Sequence, residues 1–204
     1  MPTIFLVRHG ETDWNRSGQI MGERPVPLNE QGVAQAQRLA TLLKGRPISA
    51  IVSSPVARAR QTAEILTAAL NVSMTLDRGL VEIGVGEWEG LYWKDMAEEI
   101  IRHDFYRKPD QTRPPGGETL REVQSRAVAT VERASAAPSD DPLLFVSHAD
   151  VVRAILAHYL RLDLAVMRQV RIGHAALTAL EINDGLSDLV CLNYPPDPSI
   201  LPLA

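Results

Sequence analysis

Two histidines, each placed where an apolar run stops, dominate the chemistry this sequence can do: Val7-Arg8-His9-Gly10 and Val146-Ser147-His148. Either histidine alone reads as a satisfied structural residue. Both at neighbouring strand ends, with Arg8 beside one of them, form a compact cationic site that packing does not require. Arg58 adds to it from the first turn of the helix after Ser53-Ser54-Pro55, where the helix dipole also attracts anions. This set suits phosphoryl transfer, which is catalysed mainly by positioning and charge neutralisation. A histidine nucleophile splits one hard step into two through a covalent intermediate. The leaving oxygen then needs a proton donor. Glu82, in Leu80-Val81-Glu82-Ile83-Gly84, is the candidate because apolar neighbours raise a carboxyl pKa by desolvation. Glu87 and Glu89 are rivals that read more simply as a charged loop face.

These residues need elements to hold them. Residues 3–8 are β-branched and aromatic enough for a buried strand. Asn29 reads as an N-cap, and Val33, Ala36, Leu39, Leu42 and Leu43 follow helical spacing until Gly45. A strand is expected over 48–52, a helix from Ser53-Ser54-Pro55 to about Leu70 with Pro55 in its first turn, and a short strand over 72–76. Residues 80–90 are irregular. Residues 92–103 look helical, 109–117 form a polar loop, and 118–136 make a third long helix. A strand over 143–147 ends at His148, and Asp150 is expected to cap a helix reaching about Leu160. Residues 176–182 and 187–192 flank Asn183-Asp184-Gly185, a hairpin pattern. The proline-rich tail is irregular. Alternating strands and helices predict an α/β fold, a single domain over 1–204 with a mostly parallel central sheet and helices on both faces. Ligands of such sheets sit outside the carboxyl ends of the strands.

Composition narrows the functional classes. With 204 residues, 45% hydrophobic and 23% charged, the chain has an ordinary globular balance. Acidic residues (25) outnumber Lys+Arg (21), which gives no electrostatic case for nucleic acid or an anionic membrane. Only Lys44, Lys94 and Lys108 are lysines, so the basic side chains are mostly forked guanidinium groups suited to phosphate or carboxylate. The lone Cys191 is expected in the core. No apolar stretch approaches the roughly 20 residues of a membrane span, and the N-terminal run is too short for a signal-peptide core. The expected compartment is the cytoplasm. Gly84, Gly86 and Gly90 lack the spacing of a dinucleotide fingerprint, and no His pair at i, i+4 suggests zinc.

The run Leu6-Val7-Arg8-His9-Gly10-Glu11-Thr12-Asp13-Trp14-Asn15 resembles the motif of the histidine phosphatase superfamily, also called phosphoglycerate mutase-like. Further matching blocks are Pro27 to Gly32, Ser53 to Thr62, Leu80 to Gly90, Pro115 to Thr119 and Phe145 to His148, in the family's order. The resemblance implies a metal-independent phosphomonoesterase of the phosphatase branch, with no cofactor, acting on a small phosphorylated metabolite. By position, His9 would become phosphohistidine, Arg8, Arg58 and His148 would clamp the phosphoryl oxygens, and Glu82 would be the acid. Asn15 would donate a further hydrogen bond, a role the resemblance alone supplies, and Ala149 joins the substrate-binding set. Where family members often follow the second histidine with Gly, Ala149 and Asp150 stand here, and Asp150 is a rival proton donor. Met21 stands where a polar residue is common. His174, at the start of the last hairpin, is read first as an ordinary surface or core histidine and second as a residue reaching the same crevice, and Trp88, Tyr92 and Trp93 serve as substrate wall or as loop packing. A cofactor-dependent phosphoglycerate mutase is the alternative, weakened by the scattered basic residues of 91–117; a non-catalytic phospho-ligand-binding module is less favoured. The state is a monomer or a homodimer.

Overall fold

Strand β1 (Thr3–Arg8) lies at the middle of a six-stranded sheet because both its faces are apolar. The computed structural model describes residues 3–96, 104–109, 111–136, 139, 141–182 and 186–197. With β2 (Ala50–Ser53), β3 (Ser73–Leu76), β4 (Leu143–Ser147), β5 (Leu177–Glu181) and β6 (Asp188–Tyr194), the strand order is β3-β2-β4-β1-β5-β6. The four strands from β3 to β1 run parallel; β5 and β6 are antiparallel additions at one side.

Two apolar layers cover the sheet. On one face Val7, Ile51, Leu144 and Val146 pack against Leu39 and Leu43 of α2 (Glu30–Leu43) and Ala59, Ala63 and Leu66 of α3 (Ala57–Leu70). On the other, Ile4, Leu6, Phe145 and Leu180 meet Val123, Ala127 and Val131 of α4 (Leu120–Ser135) and Val152 and Ile155 of α5 (Ala149–Tyr159). Alternation along β1 and β4 sends successive side chains to opposite layers, and burial fixes the register, since a one-residue slip would exchange the two sets.

Caps set the helix starts. Asn29 accepts the Gly32 N–H at 2.8 Å, as its sequence position predicts. Thr119 and Glu122 form a reciprocal capping box at the start of α4. Three local expectations are corrected. Pro55 lies ahead of the N-cap Val56 and outside α3. Asp150 is not the cap of α5: His148 holds that position without a side-chain cap bond, and Asp150 is the second helical residue. Residues 92–96 are not helical; Tyr92 bridges Gln19, and a turn follows. The remainder of the expected 92–103 helix and the 183–185 turn lie outside the described residues, although β5 and β6 pair as a hairpin would require. Cys191 is half-buried on β6, the edge strand, rather than in the core.

Candidate active site

The carboxyl ends of β1, β2 and β4 converge, and the polar residues at their ends are held below the surface. His9 is 1% exposed, and Arg58 and His148 are fully covered. The His9 backbone is tied on two sides, its N–H to Ser147 O at 2.9 Å and its carbonyl to the Ala175 N–H at 3.2 Å. Gly10 follows because the chain must pass against α2: a Cβ there would overlap the Gly32 backbone. The Gly10 N–H donates to Thr62 Oγ1 at 3.1 Å, and Thr62 itself is anchored on Arg58 O.

Hydrogen bonding settles the His9 tautomer. Arg58 Nε donates to His9 Nε2 at 3.2 Å, so Nε2 presents a lone pair, and Nδ1 carries the proton it donates to Gly10 O at 2.6 Å. Burial first, then the charges of Arg58, His148 and Arg8, hold the His9 pKa well below the usual imidazole range. His148 is likewise depressed, by burial and then by Arg58, Arg8 and Arg126. The positive charge of the site thus resides in the arginines, and the two rings, with centroids 5.2 Å apart, are neutral. This departs from the expectation of a site made cationic by histidine. Arg8 and Arg58 are lowered by burial to about 10 and stay charged at neutral pH.

Arg58 is aimed by the loop above it, donating to Gly22 O at 2.8 Å and Arg24 O at 3.1 Å. Gly22 adopts φ +50°, and a Cβ there would collide with the Glu89 carboxylate. Arg8 gives one N–H to Ile172 O at 2.8 Å, while its Nε has no partner among the described residues. His148 Nε2 lies 2.9 Å from Ser54 Oγ, which already accepts the Val56 N–H. The Ser54 proton remains available to Nε2, and the His148 Nδ1 has no partner within hydrogen-bond distance among the described residues.

Glu82 Oε2 faces that Nδ1 at 3.9 Å, and its Oε1 accepts the Ile83 N–H at 3.0 Å. Burial, then the nearby Asp150 carboxylate, push the Glu82 pKa up to about 7 against the opposing pull of Arg58. Such a carboxyl exchanges a proton near neutrality. Its rivals are otherwise engaged. Glu89 pairs with Arg24 at 2.8 Å, Glu87 is exposed, and Asp150 is held by Arg153 at 2.8 Å and by the Tyr106 hydroxyl at 3.2 Å. The loop carrying Glu82 is anchored by one side chain that no motif marks. Arg126 of α4 donates to Gly79 O (2.8 Å), Val81 O (2.7 Å) and Glu82 O (3.2 Å), and Glu118 orients its guanidinium with bonds of 2.9 Å.

Asn15 reaches the site from α1 (Asp13–Ser17). Its amide oxygen is spent on the Thr12 N–H and hydroxyl in a capping box, which leaves Nδ2 for the cavity it lines. That cavity, about 680 Å³, opens over Arg8, Arg58 and Glu82 and is also walled by Asn15, Met21, Trp93, Ala149 and Asp150. Trp88 does not line it; it packs edge-on against Phe105 with centroids 5.8 Å apart. His174 lies closer than expected, its ring centroid 6.0 Å from that of His9, with a pKa lowered to about 3 by burial and then by Arg8. Trp14, Ser54 and Arg126 were not singled out as site residues by their types or spacing. Ser54 alone had a cue, its place at the end of β2. Among the described residues no three His, Cys, Asp or Glu side chains form a metal-binding group, and no helix is long and apolar enough to cross a membrane.

A neutral imidazole whose Nε2 is deprotonated and turned to Arg58, two fixed guanidinium groups and a carboxyl titrating near 7 make an arrangement able to accept and release a phosphoryl group. The comparisons agree with that chemistry. A family model described as histidine phosphatase superfamily (branch 1) matches residues 4–195. The chain is 31% identical over 192 residues to the adenosylcobalamin/alpha-ribazole phosphatase of Salmonella typhimurium, covering 93% of this chain and 95% of that protein. It is 30% identical over 188 residues to the probable phosphoglycerate mutase GpmB of Escherichia coli strain K12, covering 91% and 87%. The solved structure of a mycobacterial glucosyl-3-phosphoglycerate phosphatase with VO3 matches with a TM-score of 0.87 at 28% identity, over 95% of this chain and all of that one.

Proposed function

The chain belongs to the histidine phosphatase superfamily, and from that premise we propose that residues 1–204 form one phosphatase domain that hydrolyses a small phosphomonoester through a phosphohistidine at His9. The observation that carries this reading is a neutral His9 whose Nε2 accepts from Arg58 at 3.2 Å, together with a Glu82 carboxyl raised to about 7 that shares the wall of one cavity with Arg58.

In the first step His9 Nε2 forms a bond to phosphorus as the ester P–O bond breaks, and the departing oxygen takes the proton of Glu82. Arg8, Arg58, the Asn15 Nδ2 and the His148 Nδ1 proton hold the phosphoryl oxygens, where fixed donors in a dry site are most effective. In the second step the Glu82 carboxylate takes a proton from water as it attacks phosphorus, and the N–P bond breaks to restore neutral His9 and release phosphate. Ala149 gives this clamp a small wall beside His148. Two arginines neutralise the transferring group without a cation, so the reaction is read as metal-independent, with no cofactor. The place of action is read as the cytoplasm, with neither nucleic acid nor membrane as partner. The test is a brief quench with phosphorus-labelled substrate in EDTA. Wild type should retain an acid-labile, base-stable label and full turnover, and His9→Ala should retain neither. A label persisting in His9→Ala, or activity that needs added magnesium, overturns the mechanism. Because one relative carries a mutase name, 3-phosphoglycerate with a bisphosphoglycerate primer belongs in the same experiment. Phosphate release should outpace 2-phosphoglycerate formation.

A further inference from the structure

The cavity is larger and more cationic than one phosphoryl group requires. At about 680 Å³ it falls within the range of pockets that enclose whole metabolites. Five arginines line it, Arg8, Arg58, Arg107, Arg153 and Arg168, against two carboxyl groups, Glu82 and Asp150. This excess sits in a chain whose formal net charge is −4. The charges fall into two sets. Arg8 and Arg58 surround His9 and are matched by the phosphoryl group. Arg153 is already matched, by Asp150 at 2.8 Å, with its Nε given to Val170 O at 2.8 Å. Arg107 and Arg168 remain, both exposed at the cavity wall, and among the described residues neither meets a carboxylate.

Arg168 is not a loose surface side chain. Its guanidinium carbon lies 5.0 Å from the centre of the Tyr106 ring, the Tyr106 hydroxyl donates to Asp150 Oδ2, and Asp150 Oδ1 binds Arg153. Stacking occupies the flat face of the guanidinium and leaves its in-plane N–H fork for an anion. The wall also carries an apolar and aromatic set, Trp14, Met21, Ile83, Trp93 and Phe105.

We infer that the physiological substrate is a phosphomonoester with a second anionic group, a carboxylate or another phosphate, received by Arg107 and Arg168 on the wall of the same cavity. This rests on the phosphatase reading and narrows its substrate class. Rim charges act through a forked contact and through attraction of the incoming anion, so the effect belongs in KM and in salt dependence.

The test compares phosphorylated alkanols of increasing chain length with partners of equal length ending in a carboxylate or in a second phosphate. At the best length the anionic partner should exceed the neutral ester in kcat/KM by about tenfold, mostly through KM, and the ratio should shrink as salt is raised. In Arg107→Gln/Arg168→Gln the anionic-to-neutral ratio should collapse to within about twofold of one; in Arg60→Gln, whose arginine pairs with Glu64 on the outside of α3, it should keep the wild-type value. The salt dependence is read on wild type and does not depend on any variant folding. A gain with carboxylates alone or with bisphosphates alone supports the inference and identifies the anion. No gain at any length, or a gain unmoved by the double variant, overturns it. Absence of turnover with every ester, neutral and anionic alike, would instead remove the phosphatase reading beneath it.

Discussion

Glu82→Gln should make the protein more stable at alkaline pH while disabling it on demanding substrates. Glu82 titrates near 7 in the folded protein against an ordinary 4.5, because burial and the Asp150 charge disfavour its ionised form. Between those values the native state binds more protons than the unfolded chain, so stability is lost as pH rises through that window. The rise from 4.5 to about 7, at 1.36 kcal/mol per pH unit, corresponds to about 3 kcal/mol. Glutamine carries no charge at any pH and keeps an oxygen for the Ile83 N–H. The stability difference between variant and wild type should therefore be near zero at pH 4.5 and grow to about 3 kcal/mol by pH 8. Urea unfolding of both proteins at several pH values measures it, and titrating groups that do not interact with Glu82 cancel in the difference. The same variant should lose about 100-fold or more with an alkyl phosphate, whose leaving oxygen needs a proton. With p-nitrophenyl phosphate it should show a burst of nitrophenol followed by slow turnover, because water activation is still lost. Parallel stability profiles for the two proteins would refute the placement of a protonated carboxyl in this site, and equal losses on both esters would refute its role as acid.

Two further outcomes follow from the surroundings of Glu82. Asp150→Asn removes the second cause of the raised pKa after burial, so the alkaline limb of kcat/KM should move to lower pH while the ratio of alkyl to aryl rates at pH 6 is kept; an unmoved limb would mean that Asp150 does not act on Glu82. Arg126→Lys keeps a charge but cannot span three carbonyls and Glu118, so kcat should fall about tenfold further on alkyl than on aryl esters, with about 1.5–3 kcal/mol of stability lost in urea melts. An equal loss on both esters would assign Arg126 to stability alone.

Much of this protein is local and was therefore readable in the chain. Apolar, β-branched and aromatic runs placed β1 and β4, the Asn29 cap and helical spacing placed α2, and the strand-to-polar transitions at Arg8-His9 and Ser147-His148 pointed to the crevice where the structure places them. The order of motifs carried the family, and Glu82 stood out by its apolar neighbours. Tertiary structure decided what local pattern cannot encode. Asp150 looks like a cap, yet His148 takes that place and Asp150 pairs with Arg153 and Tyr106, a residue 44 positions away. His174 looks ordinary, yet the entry into β5 brings its ring beside His9. Arg126 gives no motif at all, because its partners at Gly79, Val81 and Glu82 come from a loop that only the packing of α4 brings within reach. The protonation states follow the same division. The sequence determined which side chains could titrate. Burial and neighbouring charge, which exist only once the chain has folded, decided that His9 is neutral and that Glu82 holds its proton near pH 7.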